Sequence, residues 1–440
     1  TSQWHSPRNE ERNRRVRKMN TVVLAACLLA SAAALADVEV VSPSSVGLDA
    51  DRLEHVNAFI NRYVADNKIA GAVTLIARRG QVVHVATAGA FGIDDPRPMT
   101  EDALFRIFSM TKPVTTVAAL MLYEKGAFQL NDPVAKYLPD FADMTVLIDG
   151  KSVPAASAMT IRQLMTHTAG LTYGWYTDHP VELAYQQAQL ENSTDSDDFI
   201  SRLSALPLRF NPNTRYHYSV ASDVLGVLVE KLSGLTLEQF FAEHIFLPLG
   251  MHNTFFNVPL EKQDRLVQSH MWDAKTGAIA ALSEDLRRPT ANITFFSGGG
   301  GLISTIEDYW VFLEMLRNGG SHKGVRLLGN KTVAYMTMDQ LTAGIRDHGA
   351  EQYPSSHLYP GQSFGLGVGV ITDPAQSGVI SSAGEYSWGG IANTKFWVDP
   401  QEDLIAILMT QVVGAPYSDE LRFAMKVATY QALTELDNAR

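Results

Sequence analysis

The chain of 440 residues is 46% apolar and 19% charged, and its formal net charge at pH 7 is −11. This composition is ordinary for a globular protein with a sizeable core, and the length allows one large domain or two or three smaller ones. The acidic balance and the lack of basic runs beyond the N-terminal stretch argue against nucleic acid or an anionic membrane as a partner.

Residues 21–36 form an apolar run, TVVLAACLLASAAALA, that follows the basic stretch RNRRVRKMN and ends in Ala34-Leu35-Ala36. This order is typical of a secretory signal with an A-x-A cleavage pattern. We therefore interpret residues 1–36 as upstream residues and a signal peptide cleaved after Ala36, and we expect an exported protein, periplasmic or secreted. The run is shorter than the roughly 20 residues that span a bilayer, so no integral membrane segment is predicted.

Cys27 is the only cysteine, and it lies in LAAC, which also resembles a lipoprotein acylation site. Cleavage after Ala36 is favoured because the apolar run continues well past Cys27. Without residues 1–36 the chain has 30 basic and 45 acidic residues and no cysteine, so neither a disulfide nor thiol chemistry is available to it.

The two ends of the remaining chain have mirrored patterns. A helix capped by Asp49 is predicted to run to about Asp66, and a β-hairpin is predicted around residues 78–80. Near the C-terminus, NTKFWVDPQEDLIAILMTQV predicts a second hairpin, and SDELRFAMKVATYQAL predicts a helix.

The middle of the chain is richer in helical periodicity. The segments with 3.6-residue spacing are VTTVAALMLYEKG, TIRQLMTHTAG, DVLGVLVEKLSG, LEQFFAEHIF and IEDYWVFLEMLRNGG. We predict an α+β fold in which residues 37–108 and 296–440 form one antiparallel sheet flanked by helices, and residues 109–295 form an inserted, mainly helical region. The active site is expected at the interface between the two regions of this single unit.

Two serines compete as nucleophile. Gly361-Gln362-Ser363-Phe364-Gly365 matches the G-x-S-x-G pattern, which requires a helix directly after the serine. The sequence after Ser363 is FGLGVGVITDP, whose alternating glycines disfavour a helix and suit a strand. Ser363 is therefore interpreted as part of a glycine-rich strand.

Ser109 has the opposite context. Pro113 fits only near the first turn of a helix, so the helix in FSMTKPVTTVAALMLYEKG is predicted to begin at about Ser109. The Ser109 hydroxyl would lie at the positive end of the helix dipole, with Lys112 one turn away on the same face. From these residues alone, a simple helix cap with a solvated lysine is an equal alternative.

The surrounding sequence resembles the serine β-lactamase and penicillin-binding-protein superfamily, and within it the class C branch and the family VIII carboxylesterases. The resemblance begins at FRIFSMTKPVTTVAALMLYEKGAFQLNDPVAKYLPDF. It continues in the family's order through MTIRQLMTHTAGL, FNPNTRYHYSVASDVLGVLVEKLSG, LPLGMHNTFF, SGGGGLISTIEDYWVFLEML and YSWGGIANTKFWVDPQEDLIAILMTQ. It covers most of the chain from about residue 50, so it is far more specific than any single motif, and it implies the β-lactamase/transpeptidase-like fold.

The resemblance implies that Ser109 and Lys112 of S-x-x-K are the nucleophile and its partner, and that Tyr218 is the tyrosine of the second motif. Tyr216, two positions earlier, is the misassignment to avoid. A lysine ammonium beside Tyr218 is expected to make its phenolate accessible, and the two groups would titrate as a coupled pair. Which of them is the base is left open.

Two departures from the β-lactamase pattern bear on the substrate. Tyr218-Ser219-Val220 stands where β-lactamases carry Tyr-x-Asn, and Trp388-Gly389-Gly390 stands where they carry Lys-Thr-Gly. The tryptophan replaces a cation that pairs with a β-lactam carboxylate by a flat apolar wall. Trp388, Gly389 and Gly390 are therefore predicted to contact an uncharged ester.

By the same analogy, the backbone N–H groups of Ser109 and Ile391 would form the oxyanion hole. His167 lies in a segment that the resemblance treats as structural, so no Ser-His-Asp triad is predicted. The aromatic loop at residues 171–180 is assigned either to the pocket lining or to packing. SGGGG at residues 297–301 lacks the Gly-Lys-Ser/Thr of a phosphate loop, and neither a metal nor a cofactor is predicted.

The resulting hypothesis is a serine carboxylesterase that hydrolyses short- to medium-chain esters through an acyl-enzyme, with β-lactams as weak substrates at most. The first alternative is a class C-like β-lactamase or a D-Ala carboxypeptidase. The second is a catalytically inactive cell-wall-binding homologue.

Overall fold

The computed structural model of the protein describes residues 38–283, 289–347 and 358–437. The predicted signal peptide, its cleavage position after Ala36 and Cys27 lie outside the described residues. From Val40 onward the described residues form one compact unit.

The strands of the described residues are numbered in chain order. They are β1 (Gly71–Arg78), β2 (Gln81–Gly89), β3 (Phe105–Arg106), β4 (Thr145–Ile148), β5 (Lys151–Pro154), β6 (His270–Asp273), β7 (Ala278–Ala281), β8 (Ile303–Ser304), β9 (Ser321–His322), β10 (Val325–Arg326), β11 (Gln362–Phe364), β12 (Gly369–Ile371), β13 (Tyr386–Gly389), β14 (Lys395–Asp399), β15 (Leu404–Met409) and β16 (Val412–Val413).

The α-helices are numbered in the same way, and shorter helical turns are named by their residues. The α-helices are α1 (Ala50–Ala65), α2 (Thr111–Glu124), α3 (Ile161–Met165), α4 (Pro180–Ala188), α5 (Ser196–Ser204), α6 (Ala221–Ser233), α7 (Leu237–Phe241), α8 (Leu247–Leu249), α9 (Ile306–Arg317), α10 (Asn330–Met336), α11 (Ala343–Asp347), α12 (Pro374–Ser377) and α13 (Ser418–Tyr430). The turns are Pro43–Val46, Phe108–Met110, Val134–Lys136, Pro139–Phe141, Leu190–Asn192, Leu260–Arg265 and the π-helical Ala242–Phe246.

One seven-stranded sheet organises the fold, with the strand order β11-β12-β13-β14-β15-β1-β2. Each neighbouring pair is antiparallel. The N-terminal hairpin joins the C-terminal strands where β1 pairs with β15, with Leu75 opposite Ile407. The prediction of an antiparallel sheet built from both ends of the chain is therefore confirmed.

Both faces of the central strands are buried, which explains why β1 and β15 are apolar at almost every position. On one face, Val56 of α1 and Met425 of α13 share a core with Ala406 and Leu408 of β15. On the other face, α9 packs against β1 and β15. Helices thus flank the sheet on both sides, as predicted.

The helices and hairpins predicted at both ends of the chain are also confirmed. Asp49 caps α1, since its side chain accepts a hydrogen bond from the backbone N–H of Arg52 at 3.1 Å. The turn between β1 and β2 has positive φ at both Arg79 (53°) and Gly80 (76°), as a two-residue hairpin of type I′ requires. The C-terminal hairpin and helix are confirmed as β14, β15 and α13.

The region between the two halves of the sheet is mainly helical, and its centre is the packing of α2 against α6. It also contains two hairpins that the sequence analysis did not predict, β4–β5 and β6–β7. Strand β6 pairs in parallel with β16, so this region is hydrogen-bonded to the C-terminal part of the chain. The boundaries at residues 109 and 296 remain predictions.

The segment around Ser363 forms strand β11, which pairs with β12. No helix follows Ser363 before β12 begins at Gly369, so the strand interpretation is confirmed. The Ser363 side chain is fully buried, and its hydroxyl donates a hydrogen bond to Asp339.

Within the part of the chain that the structure describes, no helix combines the length and apolar character needed to cross a bilayer.

Arg78, the last residue of β1, contacts residues from both ends of the chain and is 0% exposed. Its guanidinium donates to the Val46 and Gly47 carbonyls and to the carboxylate of Glu402 at 3.1 Å. We expect Arg78→Met to lower the free energy of unfolding by about 3–5 kcal/mol, because it removes the cation that is paired with the buried Glu402 carboxylate and the donors to these carbonyls. Urea denaturation measures the change.

Lys136→Met provides the control for Arg78→Met. Lys136 pairs with Asp132 at 3.0 Å on the surface, where its side chain is half exposed. A much smaller change is expected there, because solvent screens exposed ion pairs. Equal losses in the two variants would contradict the role assigned to Arg78.

Candidate active site

Ser109 lies in the helical turn Phe108–Met110, which runs directly into α2. Ser109 thus lies at the positive end of the helix dipole, while the Met110 N–H donates to the Ile107 carbonyl at 3.0 Å. Phe108 has a φ of +44°, an uncommon conformation for a residue with a side chain. The Tyr309 hydroxyl donates to the Met110 carbonyl at 2.8 Å and anchors the turn to α9.

Lys112 is 0% exposed and is held by hydrogen bonds. Its Nζ donates to Ser109 Oγ at 3.1 Å, to the Tyr173 hydroxyl at 2.9 Å and to the Gly299 carbonyl at 2.7 Å. The structure thus places Lys112 where it can exchange a proton with the Ser109 hydroxyl. A solvated first-turn lysine, which the sequence alone allowed, is excluded.

Tyr218 completes the cluster. Its hydroxyl is hydrogen-bonded to Ser109 and accepts a hydrogen bond from Trp388 Nε1 at 3.3 Å. The Lys112 Nζ lies 4.6 Å from the centre of the Tyr218 ring. The structure therefore brings together the three residues predicted to be catalytic.

The pKa of Tyr218 runs against the expectation from sequence. Burial raises the pKa of this phenol well above its ordinary value of 10, and this effect is larger than the lowering by the hydrogen bonds to Ser109 and Trp388. Tyr218 is consequently protonated at neutral pH in this arrangement. The expectation that Lys112 would make the phenolate accessible did not include the free-energy cost of removing the charged phenolate from water.

The glycine-rich segment at residues 297–301 has a role that the sequence analysis missed. A Cβ atom on Gly299 would lie 2.5 Å from Asp223 Oδ2, and one on Gly298 would lie 2.6 Å from the Ser222 carbonyl. Asp223 Oδ1 accepts hydrogen bonds from the Gly299 N–H at 3.0 Å and from Ser297 Oγ at 2.6 Å. Glycine is therefore required for the backbone to approach α6 and present the Gly299 carbonyl to Lys112.

The aromatic loop at residues 171–180 forms one wall of the site. Tyr173 and Trp175 stack with their ring centres 4.6 Å apart, and both rings lie within 6 Å of the Tyr218 ring. Trp175 is 45% exposed, whereas the Tyr173 hydroxyl binds Lys112. From the sequence, this loop could either line the pocket or serve in packing. In the structure Tyr173 contacts the cluster directly, and Trp175 presents a ring to solvent beside it.

Trp388, near the end of β13, also packs on Tyr218. Its ring centre lies 5.4 Å from that of Tyr218 and 5.0 Å from that of Phe364 on β11. A Cβ atom on Gly390 would lie 2.6 Å from the Ile107 carbonyl, so glycine lets the end of β13 reach the turn that carries Ser109. On its other side the Gly390 carbonyl accepts a hydrogen bond from Arg422 at 2.7 Å.

Ile391 follows directly, and its side chain is 49% exposed. Its backbone N–H has no hydrogen-bond acceptor among residues 38–283, 289–347 and 358–437. Since β13 contacts the Phe108–Met110 turn, the N–H groups of Ile391 and Ser109 come from two adjoining segments. This arrangement can supply two donors to a developing oxyanion.

His167 and Tyr216 pack behind Tyr218. The His167 ring centre lies 4.6 Å from that of Tyr218, and its Nδ1 accepts from the Ser219 N–H at 3.3 Å. Burial lowers the pKa of His167 well below its ordinary value. The Tyr216 ring packs on His167 and Phe364. These contacts support the structural role expected for His167.

No group of three or more His, Cys, Asp or Glu side chains with the geometry of a metal site occurs in the part of the chain described here. The absence of a metal or cofactor from the reaction remains a prediction.

Several proteins are similar in sequence or structure to most of this chain. Protein Rv1367c of Mycobacterium tuberculosis is 35% identical over 83% of this chain and 95% of its own. Esterase EstB of Burkholderia gladioli is 30% identical over 88% of this chain and 98% of its own. The solved structure of EstCE1, described as a hydrolase with promiscuous acyltransferase activity, superposes with a TM-score of 0.73 at 25% identity, over 86% of this chain and 99% of that one.

These similarities confirm the β-lactamase/transpeptidase-like fold and the resemblance to the family VIII esterases that the sequence predicted. The family model described as Beta-lactamase matches residues 56–429, a span that contains the serine turn, the tyrosine segment and the end of β13. The chain belongs to the Beta-lactamase family of serine hydrolases.

Proposed function

We propose that this protein is a serine carboxylesterase that hydrolyses uncharged esters with short to medium acyl groups through an acyl-enzyme on Ser109. The observation that carries the proposal is the hydrogen-bonded cluster of Ser109, Lys112 and Tyr218 beside the apolar ring of Trp388. The names of the relatives EstB and EstCE1 support an ester-cleaving activity.

In the acylation step, the reactive form of the Lys112–Tyr218 pair carries one proton fewer than a lysine ammonium with a tyrosine hydroxyl, and it takes the Ser109 proton as Oγ attacks the ester carbonyl carbon. The negative charge that develops on the carbonyl oxygen accepts hydrogen bonds from the N–H groups of Ser109 and Ile391. When the tetrahedral intermediate collapses, the C–O bond to the alcohol breaks. Tyr218, protonated in the resting arrangement, can donate the proton that the leaving alkoxide needs.

In the deacylation step, water replaces the alcohol. The same pair removes a proton from water, the hydroxide oxygen attacks the acyl carbon, and Ser109 leaves with a proton returned to its Oγ. The carboxylic acid is then released. Each step uses the same two oxyanion donors, so one rigid site serves both halves of the reaction.

The preference for uncharged substrates follows from the walls of the site. Trp388 and Trp175 both present aromatic surface beside Tyr218, and Val220 stands where an amide would bind an acylamino group. The Arg422 guanidinium donates to the Gly390 carbonyl, so it supports the strand rather than replacing the missing lysine of Lys-Thr-Gly. An ester with an apolar acyl group fits such a cleft better than an anionic lactam.

Acyl transfer to an alcohol is a second candidate function. EstCE1 is described as a hydrolase with promiscuous acyltransferase activity. The exposed ring of Trp175 beside the cluster offers a surface on which an apolar alcohol could displace water as the acceptor. The ratio of transester to acid product in the presence of a primary alcohol measures this partition.

The alternatives are separated by substrate. A β-lactamase or D-Ala carboxypeptidase would turn over nitrocefin or a D-Ala-D-Ala peptide at rates that rival esters. A catalytically inactive homologue would not react with a fluorophosphonate at Ser109.

We further propose that the protein is exported, and this proposal rests on the signal sequence alone.

Ser109→Ala is expected to reduce kcat for p-nitrophenyl butyrate by at least about 1,000-fold, because it removes the attacking oxygen, Ser109 Oγ, which lies 3.1 Å from Lys112 Nζ. Ser363→Ala is the matched control, since it removes the serine of the competing motif. Its kcat per folded molecule should stay within about twofold of the wild type. Retention of activity by Ser109→Ala, or its loss in a folded Ser363→Ala, would refute the assignment.

Tyr218→Phe keeps the ring between Trp388 and Lys112 but removes the hydroxyl that is bonded to Ser109. We expect kcat to fall by about 100-fold or more, with a small change in KM, because proton transfer is lost while the walls of the cleft remain. Tyr216→Phe, two residues away, should leave both constants nearly unchanged. Equal effects of the two substitutions would contradict the role of Tyr218.

Trp388→Lys restores the cation of the β-lactamase motif on the same strand. We expect kcat/KM for p-nitrophenyl butyrate to fall by about 10-fold, because the apolar wall and the hydrogen bond to Tyr218 are lost. The nitrocefin-to-ester ratio of kcat/KM should rise, since a cation can pair with the lactam carboxylate. An unchanged ratio would show that Trp388 does not set the charge preference.

A further inference from the structure

A buried carboxylate outside the catalytic cluster contacts the residues that precede Tyr173 and Tyr218 in the sequence. Glu182, on α4, is 0% exposed, and neither the sequence motifs nor the proposed chemistry uses it. A fully buried carboxylate is costly unless several donors satisfy it. Its neighbours therefore indicate what it holds in place.

Glu182 is surrounded by donors from two other segments of the chain. The Thr172 hydroxyl lies 2.8 Å from both carboxylate oxygens. His217 Nε2 lies 3.5 Å from Oε1 and 3.0 Å from the Thr172 hydroxyl, and Arg209 Nε lies 3.4 Å from Oε1. Although burial raises the pKa of Glu182, the hydrogen bonds from His217 and Thr172 and the charge of Arg209 lower it overall.

Two of these partners are direct sequence neighbours of the tyrosines around Lys112. Thr172 precedes Tyr173, whose hydroxyl accepts from Lys112 Nζ at 2.9 Å. His217 precedes Tyr218, whose ring centre lies 4.6 Å from the same Nζ. One carboxylate thus binds the residue before each tyrosine, and each tyrosine contacts the lysine.

The backbone around these residues is fixed by the same contacts. The Gly174 N–H donates to the Thr172 hydroxyl at 3.4 Å, and a Cβ atom on Gly174 would lie 2.9 Å from the Tyr185 side chain of α4. The His217 N–H donates to the His167 carbonyl at 2.8 Å. The aromatic loop therefore lies directly on α4, and the tyrosine segment is tied to the turn behind it.

We propose that Glu182 is a positioning residue that sets Tyr173 and Tyr218 around Lys112 through Thr172 and His217. The inference rests on the proposed esterase function, because it concerns how that cluster is kept in a reactive geometry. A catalytic group misplaced by about 1 Å can cost on the order of 100-fold in rate. Glu182 acts at a distance and does not touch the reacting atoms.

Glu182→Gln tests the proposal, because it preserves shape while replacing one acceptor oxygen with a donor amide that faces His217 and Arg209. We expect kcat for p-nitrophenyl butyrate to fall by about 10- to 100-fold. The rate is expressed per active site, and active sites are counted from the initial burst of p-nitrophenol. KM should change by less than about threefold, since the walls of the cleft stay in place. Acylation of Ser109 by a fluorophosphonate should slow by a similar factor.

Thr172→Val and the double variant show whether the effect passes through Thr172. Thr172→Val should lower kcat as Glu182→Gln does, and Thr172→Ser, which keeps the hydroxyl, should restore most of the rate. The double variant should be little worse than the more damaged single variant, because residues that act through one contact are not additive. If Glu182→Gln does not fold, the comparison of Thr172→Val with Thr172→Ser tests the proposal by itself.

Glu402→Gln is the matched control. Glu402 is also a buried glutamate paired with an arginine, Arg78, at 3.1 Å, but it lies where Arg78 joins the two ends of the chain. It should lower the melting temperature and leave kcat per titrated site unchanged.

The proposal is overturned if kcat per titrated site in Glu182→Gln matches the wild type, or if its loss simply multiplies with that of Thr172→Val. Wild-type protein that shows no Ser109-dependent hydrolysis and no fluorophosphonate labelling would instead refute the proposed function. The two failures are thus distinguishable.

Discussion

Burial of the Lys112 amine is the constraint on which the arrangement of the candidate site depends. An amine with no exposed surface must find acceptors within the protein, and it finds them on three separate segments: Ser109 of the helical turn, Tyr173 of the aromatic loop and Gly299 of the glycine-rich segment. Each segment is held by its own packing, so the position of the lysine fixes the serine and the walls of the cleft together.

The seven-stranded sheet supplies the other half of the site. The end of β13 reaches the serine turn only because Gly390 has no side chain to meet the Ile107 carbonyl. The strand is held in register by β14, and Arg422 binds the Gly390 carbonyl from the other side. Helix α2 and strand β13 are far apart in sequence, so their approach depends on the closure of the sheet through β1 and β15.

Members of one fold can perform different reactions, because the residues that line the cleft decide which carbonyl compound is bound. In the proposed esterase, Trp388 and Val220 stand at the positions where the family resemblance places the groups that would recognise a lactam. The flat ring of Trp388 also donates to the Tyr218 hydroxyl, so one residue shapes the pocket and orients a reactive group. Under the proposed function, substrate preference and catalysis are therefore not independent.

The sequence by itself determined the features that depend on neighbouring residues: the Asp49 cap and α1, both terminal hairpins, the start of a helix near Ser109 from Pro113, and the strand at Ser363. Tyr218 and Trp388 came from the family resemblance, because nothing local distinguishes them from packed aromatic residues. Only the tertiary structure decided which distant groups meet. Tyr173, Gly299 and Glu182 have no local signature, since their roles arise from contacts across more than 60 residues or through a buried network. The raised pKa of Tyr218 was missed for the same reason, because desolvation is a property of the packed interior and not of the residues along the chain.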